Sequence, residues 1–197
     1  MIICNLAVLL AERELKISKV AAETGISRTT LTALYYNTGK GVQFETANLL
    51  CIYLDVNMEE LFTVVPVDFV VESCSVYPFS DANGVIGNVQ CTLKVSTKKQ
   101  TECPYITGSI DRDGKVIFGE EQDLNSATEN EFLSNALKIL PRTGVSMLKN
   151  KIEASIEAEI KSDDILKTVF SDIVFYTISF PAQFKNSLNA DHFNSYL

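Results

Sequence analysis

Residues Lys16 to Gly39, KISKVAAETGISRTTLTALYYNTG, decide how this chain is read. Their residue types predict a short helix, a tight turn at Gly25 and a second helix opened by Ser27. Gly25 can take the left-handed conformation that ends a helix. Ser27 is a good N-cap, because its hydroxyl can accept from the orphan amides of the next turn. Val20, Ala21, Ile26, Leu31 and Leu34 can then meet in one small core. The polar run Ser27-Arg28-Thr29-Thr30 is left at the exposed start of the second helix.

Upstream, residues 3–14 carry Leu6, Leu9, Leu10 and Arg13 at helical spacing and predict a first helix. Leu15 and Ile17 lead into the next, with Ser18 as its candidate cap. Downstream, Asn37-Thr38-Gly39-Lys40-Gly41 reads as a loop. A fourth helix is expected from about Glu45 to Leu54, with Ala47, Leu50, Cys51 and Leu54 inward. Asn57-Met58-Glu59-Glu60-Leu61-Phe62 has the form of a short capped fifth helix. The expected N-terminal fold is therefore an all-α, five-helix bundle.

The stretch LLAERELKISKVAAETGISRTTLTALYYNTGKGVQFETANLLCIYLDVNMEELF, residues 9–62, resembles the Cro-like phage-repressor (xenobiotic-response-element type) helix-turn-helix family. The G-[IV]-S before the second helix of the motif and the L-x-V-x-x-x-E-L-F-type ending carry the resemblance, which spans about a third of the chain. It implies a lambda-repressor-like domain that places its recognition helix, residues 28–36, in the major groove of DNA. Two positions depart from the pattern. Ile17 stands where many members have a phosphate-packing glutamine, so Lys16, Ser18 or Lys19 takes over that contact. Tyr35-Tyr36 replaces a frequent Glu-Asn, and a tyrosine hydroxyl can also bind phosphate.

On this reading Arg28 is the best base reader, since its fork matches the O6 and N7 atoms of guanine. Thr29 and Thr30 can bond base edges or touch a thymine methyl, and Ala33 can do the latter. Ser27, at a helix N-terminus, suits a phosphate, and Lys19 and Lys40 suit phosphates as point charges. The expected DNA-binding set is Lys16, Ser18, Lys19, Ser27, Arg28, Thr29, Thr30, Thr32, Ala33, Tyr36 and Lys40.

Val65-Pro66 marks the expected domain boundary, because proline stops a helix and biases its predecessor toward extended structure. Residues 66–197 then change period from 3.6 to 2. Residues 67–77 are rich in Val, Phe and Tyr, and Ser80 to Gly84 follows as a turn. Val85, Gly87, Val89, Cys91, Leu93 and Val95 alternate with Asn88, Gln90, Thr92, Lys94 and Ser96, which predicts an antiparallel strand with one wet face. Tyr105–Ile110 and Lys115–Phe118 flank the turn Asp111-Arg112-Asp113-Gly114.

Ser126-Ala127-Thr128-Glu129 has the form of a capping box opening a helix to about Leu140, with Phe132, Leu133, Ala136, Leu137 and Leu140 inward. Pro141 and Gly144 are expected to break it. Val145, Leu148, Ile152, Ile156 and Ile160 form the apolar stripe of a longer helix. Ile173–Phe180 is apolar on both faces and is expected as an interior strand. The expected class for 66–197 is α+β, an antiparallel sheet with helices packed on one face.

The chain of 197 residues carries a formal charge of −8. Residues 1–65 hold five bases and seven acids, while the remainder is net −6. Lys16, Lys19, Arg28 and Lys40 all fall near the helix-turn-helix. So few cations neutralise few phosphates, which predicts weak, salt-sensitive binding to arbitrary DNA and the need for two copies acting together. Cys4, Cys51, Cys74, Cys91 and Cys103 are odd in number, widely spaced and without a CxxC pair, as expected of reduced thiols in a core. His192, the one histidine, has no partner at ligand spacing, so no metal is expected.

The N-terminal MIICNLAVLLAEREL lacks a basic leader and a small-residue cleavage site. The apolar runs Val64–Val71 and Ile173–Phe180 are too short to cross a bilayer. A cytoplasmic protein with no membrane partner is expected. Ser146 resembles the serine of LexA-like self-cleaving repressors, with Lys185 as its base, but it lies in a helical pattern and no Ala-Gly or Cys-Gly cleavage dipeptide exists. Asp111–Gly114 lacks the remaining ligands of a calcium loop. No Gly-rich phosphate loop, HExxH or nucleophile elbow occurs, so neither catalysis nor a cofactor is expected.

These readings converge on a sequence-specific DNA-binding transcriptional regulator, expected as a repressor acting as a homodimer through its C-terminal domain. That domain could also receive a small-molecule or protein effector. The alternative is an antitoxin-like or anti-repressor-binding protein whose sheet-and-helix part grips another protein. An enzyme fused to a DNA-binding head would need convergent carboxylates or a cysteine–base pair, which the sequence does not supply.

Overall fold

A computed structural model describes residues 1–80, 82, 84–118, 131–171, 173 and 177–179. The chain divides into two compact units, Met1–Val65 and Pro66–Leu197. A helical N-terminal region is followed by a sheet-rich region that also carries helices.

The first unit runs β1 (Ile2–Cys4), α1 (Leu6–Glu12), α2 (Ile17–Thr24), α3 (Arg28–Tyr35), α4 (Phe44–Leu54), α5 (Met58–Leu61) and β2 (Phe62–Val64). It is not all-α. Residues 3 and 4, expected in the first helix, belong instead to a strand, since Ile2, Ile3 and Cys4 pair antiparallel with Val64, Thr63 and Phe62. β-branched Ile2 and Ile3 suit that extended backbone, and the Val65 amide donates to the Met1 carbonyl at 2.9 Å to extend the pairing. The ribbon thereby ties the two ends of the unit together. Leu6, Leu10, Val20, Leu31, Leu50 and Leu61 are fully enclosed in its core.

Local caps set the helix ends. Gly25 closes α2 with φ of 75°, and its amide donates to Ala21. The expected cap at Ser18 is corrected: α2 begins at Ile17, with Lys16 in the N-cap position and making no side-chain cap. Asn57 caps α5 in a reciprocal box with Glu60, each side chain accepting from the other's backbone amide. The Tyr53 hydroxyl donates to the Glu23 carboxylate, joining α4 to α2. That bond, then burial and the carboxylate's charge, pushes the Tyr53 phenol up.

The second unit runs β3 (Val67–Pro78), β4 (Val85–Thr97), β5 (Thr101–Glu102), β6 (Tyr105–Asp111), β7 (Lys115–Phe118), α6 (Glu131–Ile139), α7 (Arg142–Ser162), α8 (Asp164–Val169) and β8 (Thr177–Ser179). The sheet order is β3-β4-β6-β7-β8, with β5 added to β4. Neighbours from β3 to β7 are antiparallel, but β8 runs parallel to β7, pairing Ile178 with Val116. The sheet is therefore mixed, not antiparallel throughout. Among the described residues, the segment expected as an interior strand supplies β8, which stands at the end of that order.

The alternation read for β4 holds: Gly87, Val89, Cys91, Leu93 and Val95 are buried, and Asn88, Gln90 and Lys94 exposed. In β3 the phase changes at Glu72, where the register shifts between Val71 and Ser73. A bulge adds one residue, so Val67 and Phe69 before it and Cys74 and Val76 after it can all be buried. Asp111 shapes the β6–β7 turn, its carboxylate accepting from the Asp113 and Lys115 amides, and Gly114 has φ of 76°.

That register places Cys74 opposite Cys91 with their Cα atoms 4.1 Å apart, and their sulfurs form a disulfide. The expectation of five reduced thiols is thus corrected. Cys4, Cys51 and Cys103 remain free. Burial pushes the Cys4 thiol up, and burial followed by the Glu60 charge does the same to Cys51. Neither shift favours the reactive thiolate.

Gly144 does not break a helix. It is buried within α7, while Pro141 sits in its N-cap position. The apolar stripe Leu148, Ile152, Ile156 and Ile160 is buried along α7, which packs on β3, and Lys151 Nζ donates to the Phe69 carbonyl at 3.2 Å. Helix α8, outside the elements expected from the sequence, is capped by Asp163, whose carboxylate accepts from the Ile165 and Leu166 amides. It ends at Phe170, whose ring occupies the space a side chain on Gly87 would need. The capping box at 126–129, Lys185 and His192 lie outside the described residues. Among the described residues no helix is long and apolar enough to cross a membrane.

Candidate nucleic-acid interface

The turn between α2 and α3 is built from small polar groups that satisfy its backbone. Thr24 Oγ1 donates to the Val20 carbonyl at 2.6 Å and accepts from the Ile26 amide at 3.2 Å. Ile26 is buried next to Gly25, which turns the chain so that Ser27 opens α3. Ser27 has extended backbone angles, and its hydroxyl accepts from the Thr30 amide at 3.1 Å. Leu31 and Leu34 anchor the inner face, leaving Arg28, Thr29, Thr32 and Tyr36 exposed on the other.

The expected DNA-binding residues divide by position. Lys16, Ser18 and Lys19 are exposed at the start of α2, and Ser27, Arg28 and Thr29 at the start of α3. Thr32 and Tyr36 continue the open face of α3, while Ala33 is half-buried beside it. Thr30 is half-buried, and its hydroxyl lies 2.8 Å from Ser27 Oγ. It therefore belongs to the cap more than to the open face. Lys40 is exposed in the loop after α3, and Tyr36 is in ring contact with Tyr35. Among the described residues, Lys16, Lys19, Arg28 and Lys40 form no ion pair with a carboxylate.

This arrangement presents hydrogen-bond donors, methyl groups and free positive charge along one helix at its amino end. Such a helix can lie in a major groove with its first residues on base edges. The exposed α2 lysines and the α3 N-terminus can meet the flanking phosphates. Ser146, weighed as a nucleophile, instead donates its hydroxyl to the Arg142 carbonyl within α7.

One residue of this region carries no signal in the sequence beyond that of a loop. Asn37 stands just beyond α3 with φ of 55°, and its side chain bonds the backbone of Cys4. Asparagine's tolerance of left-handed backbone is that signal.

Residues 5–67 match the family described as the Cro/C1-type HTH DNA-binding domain. The N-terminal part of the chain is thus a helix-turn-helix DNA-binding domain of that type, which supports a DNA-binding regulator in general terms. No curated protein and no solved structure matches the chain.

Proposed function

We propose that the protein is a sequence-specific transcriptional repressor that binds DNA as a homodimer, with no enzymatic activity of its own. The amino end of α3 enters the major groove, Arg28 grips a guanine, and Thr29 and Thr32 read neighbouring base edges. Lys16, Ser18, Lys19, Ser27, Tyr36 and Lys40 hold the flanking phosphates, and Ala33 rests near a thymine methyl. The sheet-rich region pairs the two copies and receives any effector. Pairing follows from charge: one unit neutralises too few phosphates for tight binding, whereas two recognition helices about 34 Å apart meet successive major grooves.

The observation that supports this reading best is the exposure of Arg28 and Thr29 beside a capped helix start, within a domain of the Cro/C1 type. The test is selection of duplexes from a random pool by the full chain, followed by titration of the selected duplex. Arg28→Ala is expected to weaken that binding by about 1–3 kcal/mol and to relax the base preference at one position. Unchanged affinity and preference would remove Arg28 from the interface and overturn the placement of the helix.

A further inference from the structure

We infer that Asn37 is the positioning residue of the recognition helix, its carboxamide clasping the end of α3 to strand β1. This rests on the reading of α3 as the helix that meets DNA. Asn37 occupies a defined place in a helix stop. Its amide donates to the Leu34 carbonyl at 3.3 Å, and the Thr38 amide donates to Ala33 at 2.9 Å. These two bonds around a left-handed residue make a Schellman motif, which fixes where α3 ends and which way the chain leaves it. Glycine usually fills such a position, so the presence of a side chain calls for a reason.

That reason is on the free edge of β1. The Met1 and Asn5 backbones bond toward β2, through Val65 and Leu61. Alternation along a strand then turns the amide and carbonyl of Cys4 to the opposite edge. There the Cys4 amide donates to Asn37 Oδ1 at 2.7 Å, and Asn37 Nδ2 donates to the Cys4 carbonyl at 3.0 Å. The carboxamide thus acts as one residue of a third strand. Cys4 is 3% exposed, so these backbone groups would be costly to leave unpaired. The ribbon that ties the ends of the domain together is thereby locked to the carboxyl end of α3, and Leu31 and Leu34 hold the rest of the helix on the core.

Asn37→Gly keeps the left-handed backbone and removes only the clasp. Asn37→Asp keeps an acceptor for Cys4 and sets a carboxylate oxygen against its carbonyl. In the full chain, exchange of the Cys4 amide is expected to quicken on the order of tenfold in Asn37→Gly, as loss of a buried hydrogen-bonded pair predicts. Affinity for the selected duplex should fall by a similar factor while affinity for random duplex holds, and Asn37→Asp should show the same loss of selectivity. Residual dipolar couplings should show the α3 axis turned relative to α2, with the helical circular dichroism retained. Unchanged selectivity in Asn37→Gly would overturn the positioning role even if Cys4 exchange quickens. Should the wild-type chain prefer no duplex at all, the DNA reading falls and helix orientation decides. A turned axis then upholds the clasp, and an unmoved one overturns it.

Discussion

The helical unit and the sheet unit are organised over different distances along the chain. In the first, the turns at Gly25, Ser27 and Asn57 are set by residues acting on near neighbours, Gly25 on Ala21, Ser27 on Thr30 and Asn57 on Glu60. Longer reach enters there through the β1–β2 ribbon, the Asn37 clasp and the Tyr53–Glu23 bond. In the second, position comes from partners far apart in sequence, as when Lys151 of α7 bonds Phe69 of β3 or Ile178 pairs with Val116. Short-range caps leave the outer face of a helix free, so polar groups on α3 can be kept for a partner. The sheet's exposed positions, Asn88, Gln90 and Lys94, are the ordinary wet face of an alternating strand.

The largest test of this contrast is Leu31→Ala. Leu31 is fully buried in the helical core, and its truncation should cost about 2–5 kcal/mol. Calorimetry of the full chain should show a lowered transition for residues 1–65 while the sheet's transition stays in place. Equal shifts in both would mean that the two units unfold together and the contrast fails. Next in size is reduction of Cys74–Cys91, which closes a loop of sequence separation 17. Losing a loop of that length costs about 3 kcal/mol on the chain-entropy account. Amide signals from β3 and β4 should melt earlier under a dithiol reductant, and those from α3 should not.

The smallest effect concerns α7. Burial, and after it the Glu157 carboxylate, pushes the Glu153 carboxyl up. A raised native value means the folded state holds its proton to higher pH, so stability falls as pH rises through the carboxylate range. Glu153→Gln escapes that loss and should stabilise the sheet unit by about 0.3 kcal/mol at neutral pH, as removal of an i,i+4 like-charge pair predicts. The gain should vanish in acid, below the carboxylate range. Parallel denaturation curves at both pH values would check it, and a gain that persists in acid would locate its cause elsewhere.

The same difference in range explains what could be read from the sequence. Gly25, Ser27 and Asn57 announce their turns through their own chemistry, and the alternation of β4 and the stripe of α7 are periodic within one segment. The open face of α3 followed from the spacing of Leu31 and Leu34. Features that need a distant partner were missed. Ile2–Cys4 is too short to show strand periodicity and reads as the start of α1 until Phe62–Val64 is placed beside it. The Glu72 bulge hides the facing of Cys74 and Cys91, since the register shift changes which residues are inward. Gly144 is a helix breaker by propensity, yet its place is buried in the first turn of α7. The cap role of Thr30 and the clasp of Asn37 escaped for a related reason, because each depends on which atom the fold brings near.

The central claim is that the uncovered start of α3 touches duplex DNA. Its most direct test is amide chemical-shift mapping of the full chain titrated with the duplex it selects. The account predicts that Arg28, Thr29 and Thr32 shift most, with Lys16 and Lys19 close behind and the β4 amides still. Shifts centred on the sheet, with the α3 amides unmoved at saturation, would contradict it.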